Sequence, residues 1–159
     1  MNNINLKAFN EEMNMTNLDV LLNNIPLYSN LVSMSDLKLQ EGYANFTITD
    51  VEIINANYMI VQLELKTGTR EDSEYASMNV YFWNSQEENF ESTRRWVFEM
   101  MASPFVYRSD LDVGDFALGD IYRIDFMRGN VGIAVTGRDR TEIIGIAEEI
   151  DRQILSLLE

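Results

Sequence analysis

The chain has 159 residues, 46% hydrophobic and 24% charged, long enough to bury a sizeable core in one domain. Its 12 Lys and Arg against 26 Asp and Glu leave a net charge of −14, which repels phosphate backbones and anionic lipid, so neither nucleic acid nor a membrane surface is an expected partner. With no cysteine and no histidine there is no disulfide, no thiolate metal site and no Ser–His or Cys–His nucleophile; the remaining oxygen ligands suit calcium or magnesium rather than zinc or copper.

Residues 1–15 are Asn-rich and polar and read as a loose arm before one domain over 16–159. The arm lacks the basic start and apolar run of a signal peptide, and no later run approaches the length of a membrane span. Thr16 or Asn17 can cap a short helix carrying Leu18, Val20, Leu21 and Leu22, ended before Pro26. Residues 27–42 show no dominant period. From Tyr43 to Ile54 the pattern is a strand whose apolar parity changes from Ala44, Phe46 and Ile48 to Val51 and Ile53, the mark of a β-bulge near Asp50. Asn55-Ala56-Asn57 reads as a turn, after which Met59, Val61, Leu63 and Leu65 alternate with polar or outward residues.

Residues 67–74 form a charged loop in which Glu71, Asp72 and Glu74 read as a solvated face. The next strand points Met78, Val80 and Phe82 inward and carries Asn79, Tyr81 and Trp83 on the other parity. Ser85 and Glu88 have capping-box spacing at the head of a helix over 86–102, with Phe90, Val97, Phe98 and Met101 inward and Ser103-Pro104 as its stop.

The most informative stretch is the last. Gly129-Asn130 is a two-residue loop of the II′ kind, which sets Arg128 opposite Val131, Phe126 opposite Ile133 and Ile124 opposite Val135. Tyr122 continues that apolar row. The opposite row, Arg123, Asp125 and Met127 against Gly132, Ala134 and Thr136, is small or polar, so a one-residue slip would bury charge and the register is well determined. Asp139 then caps a helix with Glu142 at capping-box spacing. Ile143, Ile146, Ala147, Ile150, Ile154, Leu157 and Leu158 form its apolar stripe, with Arg140, Glu148, Glu149, Asp151, Arg152 and Gln153 outward.

Ser85 to Glu88, Gly114-Asp115-Phe116-Ala117, the run Phe126-Met127-Arg128-Gly129-Asn130-Val131 and Ile150-Asp151 together resemble a recurring prokaryotic pattern, often found in exported archaeal and bacterial proteins. The resemblance spans roughly residues 78–158 and departs at Gly132-Ile133-Ala134, where the pattern prefers larger residues. It implies a fold and export behind a leader outside this chain, with the cytoplasm as the other location; it implies no activity.

Among chemical candidates, Asp110, Asp112, Asp115 and Asp120 offer oxygen ligands to calcium, yet the ligand series of an EF-hand is missing and turn-capping carboxylates explain the run. Carboxylate pairs can hydrolyse glycosides without histidine, but nothing singles one out. Gly114, Gly119, Gly129 and Gly132 form no phosphate-binding fingerprint. Tyr81 and Trp83 are the candidate partner-binding residues, because outward aromatics on a sheet can anchor a protein or glycan unless another element covers them. The expected protein is therefore α+β, a mostly antiparallel sheet with helices 86–102 and 139–158 on one face. No catalytic residue, metal ligand or cofactor is assigned. The function expected is a non-enzymatic binding module; the alternatives are an acidic inhibitor or immunity-type protein masking a basic enzyme, and a carboxylate-dependent hydrolase.

Overall fold

The period-2 runs become strands of one sheet. A computed structural model describes residues 19–20, 22–67, 74–95, 106–107 (backbone only), 112–119 and 122–159. Its elements are β1 (Gly42–Tyr43), β2 (Phe46–Asn55), β3 (Tyr58–Leu65), β4 (Tyr75–Phe82), α1 (Gln86–Arg95), β5 (Val106–Tyr107), β6 (Phe116–Gly119), β7 (Arg123–Arg128), β8 (Val131–Gly137) and α2 (Arg140–Leu158). The strands lie in the order β1-β2-β3-β4-β8-β7-β6-β5, every neighbouring pair antiparallel. Two meanders, β1–β4 and β5–β8, thus join at the centre through β4 and β8. This is an α+β fold dominated by antiparallel sheet. Among the described residues no helix is long and apolar enough to cross a membrane.

Register follows the sequence pattern closely in the last hairpin, where Arg128 pairs with Val131, Phe126 with Ile133 and Ile124 with Val135. Gly129 takes φ 58° while Asn130 does not enter the left-handed region, as the II′ loop requires. A Cβ on Gly129 would also lie 2.8 Å from Leu158, so the position is closed to larger residues twice over. The parity change in β2 is a register shift between Ile48 and Asp50. Ala44, expected within that strand, instead turns the chain between β1 and β2 with φ 52°. Its backbone N–H is held there by the Glu149 carboxylate. Tyr122, expected to extend the apolar row, precedes β7 and is exposed.

The core lies between one face of the sheet and α2. Val61, Leu63, Met78, Val80, Ile124, Val131 and Val135 meet Ile143, Ile146, Ala147, Ile150 and Ile154, all almost wholly buried. Burying each such side chain stabilises by roughly 1.5–3 kcal/mol before conformational entropy is counted. Asp139 caps α2 by accepting from the N–H groups of Thr141 and Glu142. The segment of uncertain pattern, 27–41, is an irregular strap that buries Val32 and Leu37 against the same core.

Three further expectations change. Asp151, placed on the outer side of α2, is buried. Leu157, placed in the stripe, is only half-buried. And α1 does not share a face with α2. Ile143 of α2 approaches Gly137, on the Val131–Ile133–Val135 side of β8, whereas Asn89 of α1 approaches Gly132 and Thr93 reaches the Met127 sulfur on the opposite side. The buried residues of α1 are the polar Gln86 and Asn89, with Phe90 only half-buried. The loose arm 1–15, the capping candidates Thr16 and Asn17, Leu18 and Leu21, Glu71 and Asp72, helical positions 96–102, Ser103-Pro104, Asp110 and Asp120 lie outside the described residues.

Candidate functional site

The sheet face opposite α2 is set by cross-strand register. One row runs Tyr58, Tyr81, Gly132, Met127 and Phe116 across β3, β4, β8, β7 and β6. The adjacent row runs Ile60, Asn79, Ala134, Asp125 and Leu118. Large side chains thus stand on either side of two positions, 132 and 134, that have almost none. A cleft of about 390 Å³ opens over them, within the range of small-ligand sites. Gly132 and Ala134 supply its floor, Tyr58, Tyr81 and Trp83 one wall, Asn89, Ser92 and Thr93 of α1 another, and Arg123 with Asp125 a third.

The aromatic wall is continuous. The Tyr58 and Tyr81 rings are 5.3 Å apart and the Tyr81 and Trp83 rings 4.5 Å, both pairs tilted. Tyr81 and Trp83, the two residues chosen from the sequence, therefore stand side by side, half-buried, and α1 borders them without closing over them. Tyr58 and Gly132 were missed; strand parity sets Tyr58 on the same face as Ile60, and the β7–β8 hairpin register sets Gly132 opposite Met127. Asn89 was not legible, because a polar residue one turn into a helix gives no sign of burial.

Among the described residues that line the cleft, the charged side chains are Arg123 and Asp125. Arg123 forks onto Asp125 through Nε at 2.7 Å and Nη2 at 2.9 Å. Such a pair holds shape and contributes little net field. α1 is anchored at its head by Ser85 Oγ accepting from Glu88 N–H at 3.0 Å, while the Glu88 carboxylate accepts from Asn84 N–H at 3.1 Å rather than from the cap residue itself. Asn89 Nδ2 donates to the carbonyls of Gly129 and Val131 at 3.0 and 3.1 Å, which ties the helix to the β7–β8 loop.

A second cluster lies behind that loop. Arg128 donates to Asp151 from Nε and Nη2 at 2.9 and 2.7 Å, and to Asp115 from Nη1 at 3.0 Å. Tyr28 donates its hydroxyl proton to Asp115 Oδ1 at 2.8 Å, the Gly129 N–H donates to the other Asp115 oxygen at 3.2 Å, and the Gly114 N–H adds a bond at 3.0 Å to the Asp151 Oδ2 that Arg128 Nη2 also reaches. Burial alone would lower the Arg128 pKa, but hydrogen bonds with Asp151 and Tyr28 and the two carboxylate charges raise it well above its ordinary value. Asn130 clasps the strap through Val32 N–H and C=O, both at 2.9 Å, and Trp83 C=O at 2.8 Å. Three of the four segments behind the resemblance, at 114–115, 128–130 and 150–151, thus meet in a satisfied structural clamp, closed to substrate by its own partners. Asp115, a calcium-ligand candidate by sequence, belongs to that clamp, and Asp112 is exposed. Among the described residues no group of three or more carboxylates is placed to hold a metal ion.

Compared with protein-family models, curated proteins and solved structures, the chain matches none.

Proposed function

We propose that the protein is a non-enzymatic binding module and that its partner enters the cleft between the Tyr58–Tyr81–Trp83 wall and α1. The observation that carries this is the step in side-chain size across one register row, from two tyrosines to Gly132, on a face with an otherwise formed sheet. Half-buried aromatics beside a gap provide contact area at low entropic cost, the property that makes such residues anchors at interfaces. The carboxylate nearest the floor, Asp125, is already bound by Arg123, which favours recognition over acid–base work. The test is Trp83→Ala against protein and glycan partners found by array screening and measured by calorimetry. Affinity should fall by about 2 kcal/mol or more, with the circular dichroism of the folded protein retained. Unchanged affinity for every such partner counts against the cleft as the docking place.

A second reading, an acidic inhibitor masking a basic enzyme, draws on a different place. Residues 50–57 of the β2–β3 hairpin are all exposed, including Val51, Ile53, Ile54, Asp50 and Glu52. β1 pairs with β2 only at Phe46 and Thr47, so among the described strands the outer edge of β2 beyond Ile48 has no neighbour. Binding there would weaken steeply with salt and would be abolished by a proline at residue 53, whereas cleft binding would change little with either.

A further inference from the structure

Two polar atoms flank the cleft with no hydrogen-bond partner among the described residues. Asn89 is 2% exposed, and its Nδ2 is committed to two backbone carbonyls, which fixes the amide so that Oδ1 faces the sheet. Trp83 is bonded through its backbone N–H and C=O to Asn130, and its indole Nε1–H takes no part in that. Among the described residues neither Asn89 Oδ1 nor Trp83 Nε1 has a hydrogen-bond partner. Both flank the space above Gly132: a Cβ there would lie 3.5 Å from Asn89 Oδ1 and 3.6 Å from Trp83 Nε1. An acceptor and a donor thus converge on the one floor position that has no side chain. Neither atom is among the sealed, unmatched polar atoms of the described residues, so both are reached from the cleft, and a ligand group that accepts from one and donates to the other can take the place of water there.

Resting on the binding-module reading above, we infer that the cleft binds a neutral sugar, with one ring hydroxyl seated over Gly132 between Trp83 Nε1–H and Asn89 Oδ1 and the ring's apolar face against the Tyr81–Trp83 wall. A hydroxyl accepts and donates at a single atom, as two converging groups require. A secondary amide places its C=O and N–H on opposite sides of a planar unit and meets only one of them. The stacked aromatics supply a flat apolar surface for the carbon–hydrogen face of a ring. Neutrality follows from the surroundings: among the described residues the charged side chains lining the cleft, Arg123 and Asp125, bond to each other, and the net charge of −14 disfavours an anionic ligand. The remaining polar side chains of the walls, Asn79, Ser92 and Thr93, are uncharged and suited to further hydroxyls.

The experiment uses the full chain and a panel of neutral probes: glucose, galactose, mannose and xylose, cellotetraose and maltotetraose, with capped uncharged tetrapeptides as comparators. Calorimetry measures affinity, and the indole N–H resonance of Trp83, assigned from its loss in Trp83→Phe, reports on the predicted contact. At least one saccharide should bind and move that resonance. Trp83→Phe keeps a ring and removes the donor, and should weaken binding roughly tenfold. Gly132→Val occupies the hydroxyl's place and should abolish it, with Gly132→Ala as the milder variant should valine perturb the strand. A saccharide that binds equally well to all three variants overturns the site. Binding of the tetrapeptides alone overturns the sugar assignment and leaves the binding-module reading standing. Silence from both probe classes overturns the sugar assignment, and the protein-partner measurements above then decide the broader reading separately.

Discussion

The two faces of the sheet are built from the same eight strands and treat their side chains in opposite ways. On the α2 face the central row, Val61, Met78, Val135 and Ile124, stands against Ile146 and Ile150 with essentially no exposure, and where the row beside it narrows to Ala76 and Gly137 the Ile143 side chain comes down onto Gly137. On the α1 face the rows alternate large and absent, and the helix above them turns Asn89, Ser92 and Thr93 downward instead of an apolar stripe. A dry interface of matched volumes stabilises but recognises nothing. A face with a gap in it forgoes packing energy and has room for something else. Under the proposed reading, stability is concentrated on one side and recognition on the other.

The sharpest way to break that comparison is a charge on the dry face. Ile150→Asp places an unpaired carboxylate at a position with no exposure, and should cost about 4 kcal/mol or more in urea denaturation. Next comes the clamp. Arg128→Ala leaves Asp115 and Asp151, 4% and 6% exposed, facing each other without their cation, and should cost about 3–5 kcal/mol. Adding Asp115→Asn and Asp151→Asn to that variant should restore part of the loss; if it restores none, the cluster acts through shape rather than charge.

A smaller effect is expected at high pH. Burial raises the phenol pKa of Tyr43, and burial likewise raises that of Tyr28, with the Asp115 hydrogen bond and charge adding and Arg128 opposing. An acid whose folded pKa is raised contributes stability that is complete below the unfolded value, here 10.0, and lost as pH climbs through the folded one. The urea midpoint should therefore hold up to about pH 10 and fall above it. In the double variant Tyr28→Phe, Tyr43→Phe the fall should be shallower. The smallest effects belong to the cleft: Gly132→Ala meets only ordinary contacts at 3.5 and 3.6 Å and should shift stability within about 0.5 kcal/mol. A loss as large as those on the α2 face would mean that the cleft floor is part of the core.

Much of the fold was legible in the sequence. The β7–β8 register, the bulge near Asp50 and the cap at Asp139 rest on interactions between residues near in sequence, where spacing and turn chemistry fix which atoms can meet, and the stripe from Ile143 to Leu158, Leu157 apart, follows from helical spacing. Tyr81 and Trp83 were legible for the same reason, since strand parity alone sets them on one face. Tertiary structure decided the rest. Asp151 looks like any outward carboxylate until Arg128, 23 residues away, arrives to pair with it. Asn89 looks like a solvated helix residue until the β7–β8 loop presents its carbonyls. The side taken by α1, and with it the cleft, follows from contacts across 34 to 42 residues. A polar side chain is buried or exposed according to what stands opposite it, and the local sequence carries no record of that partner.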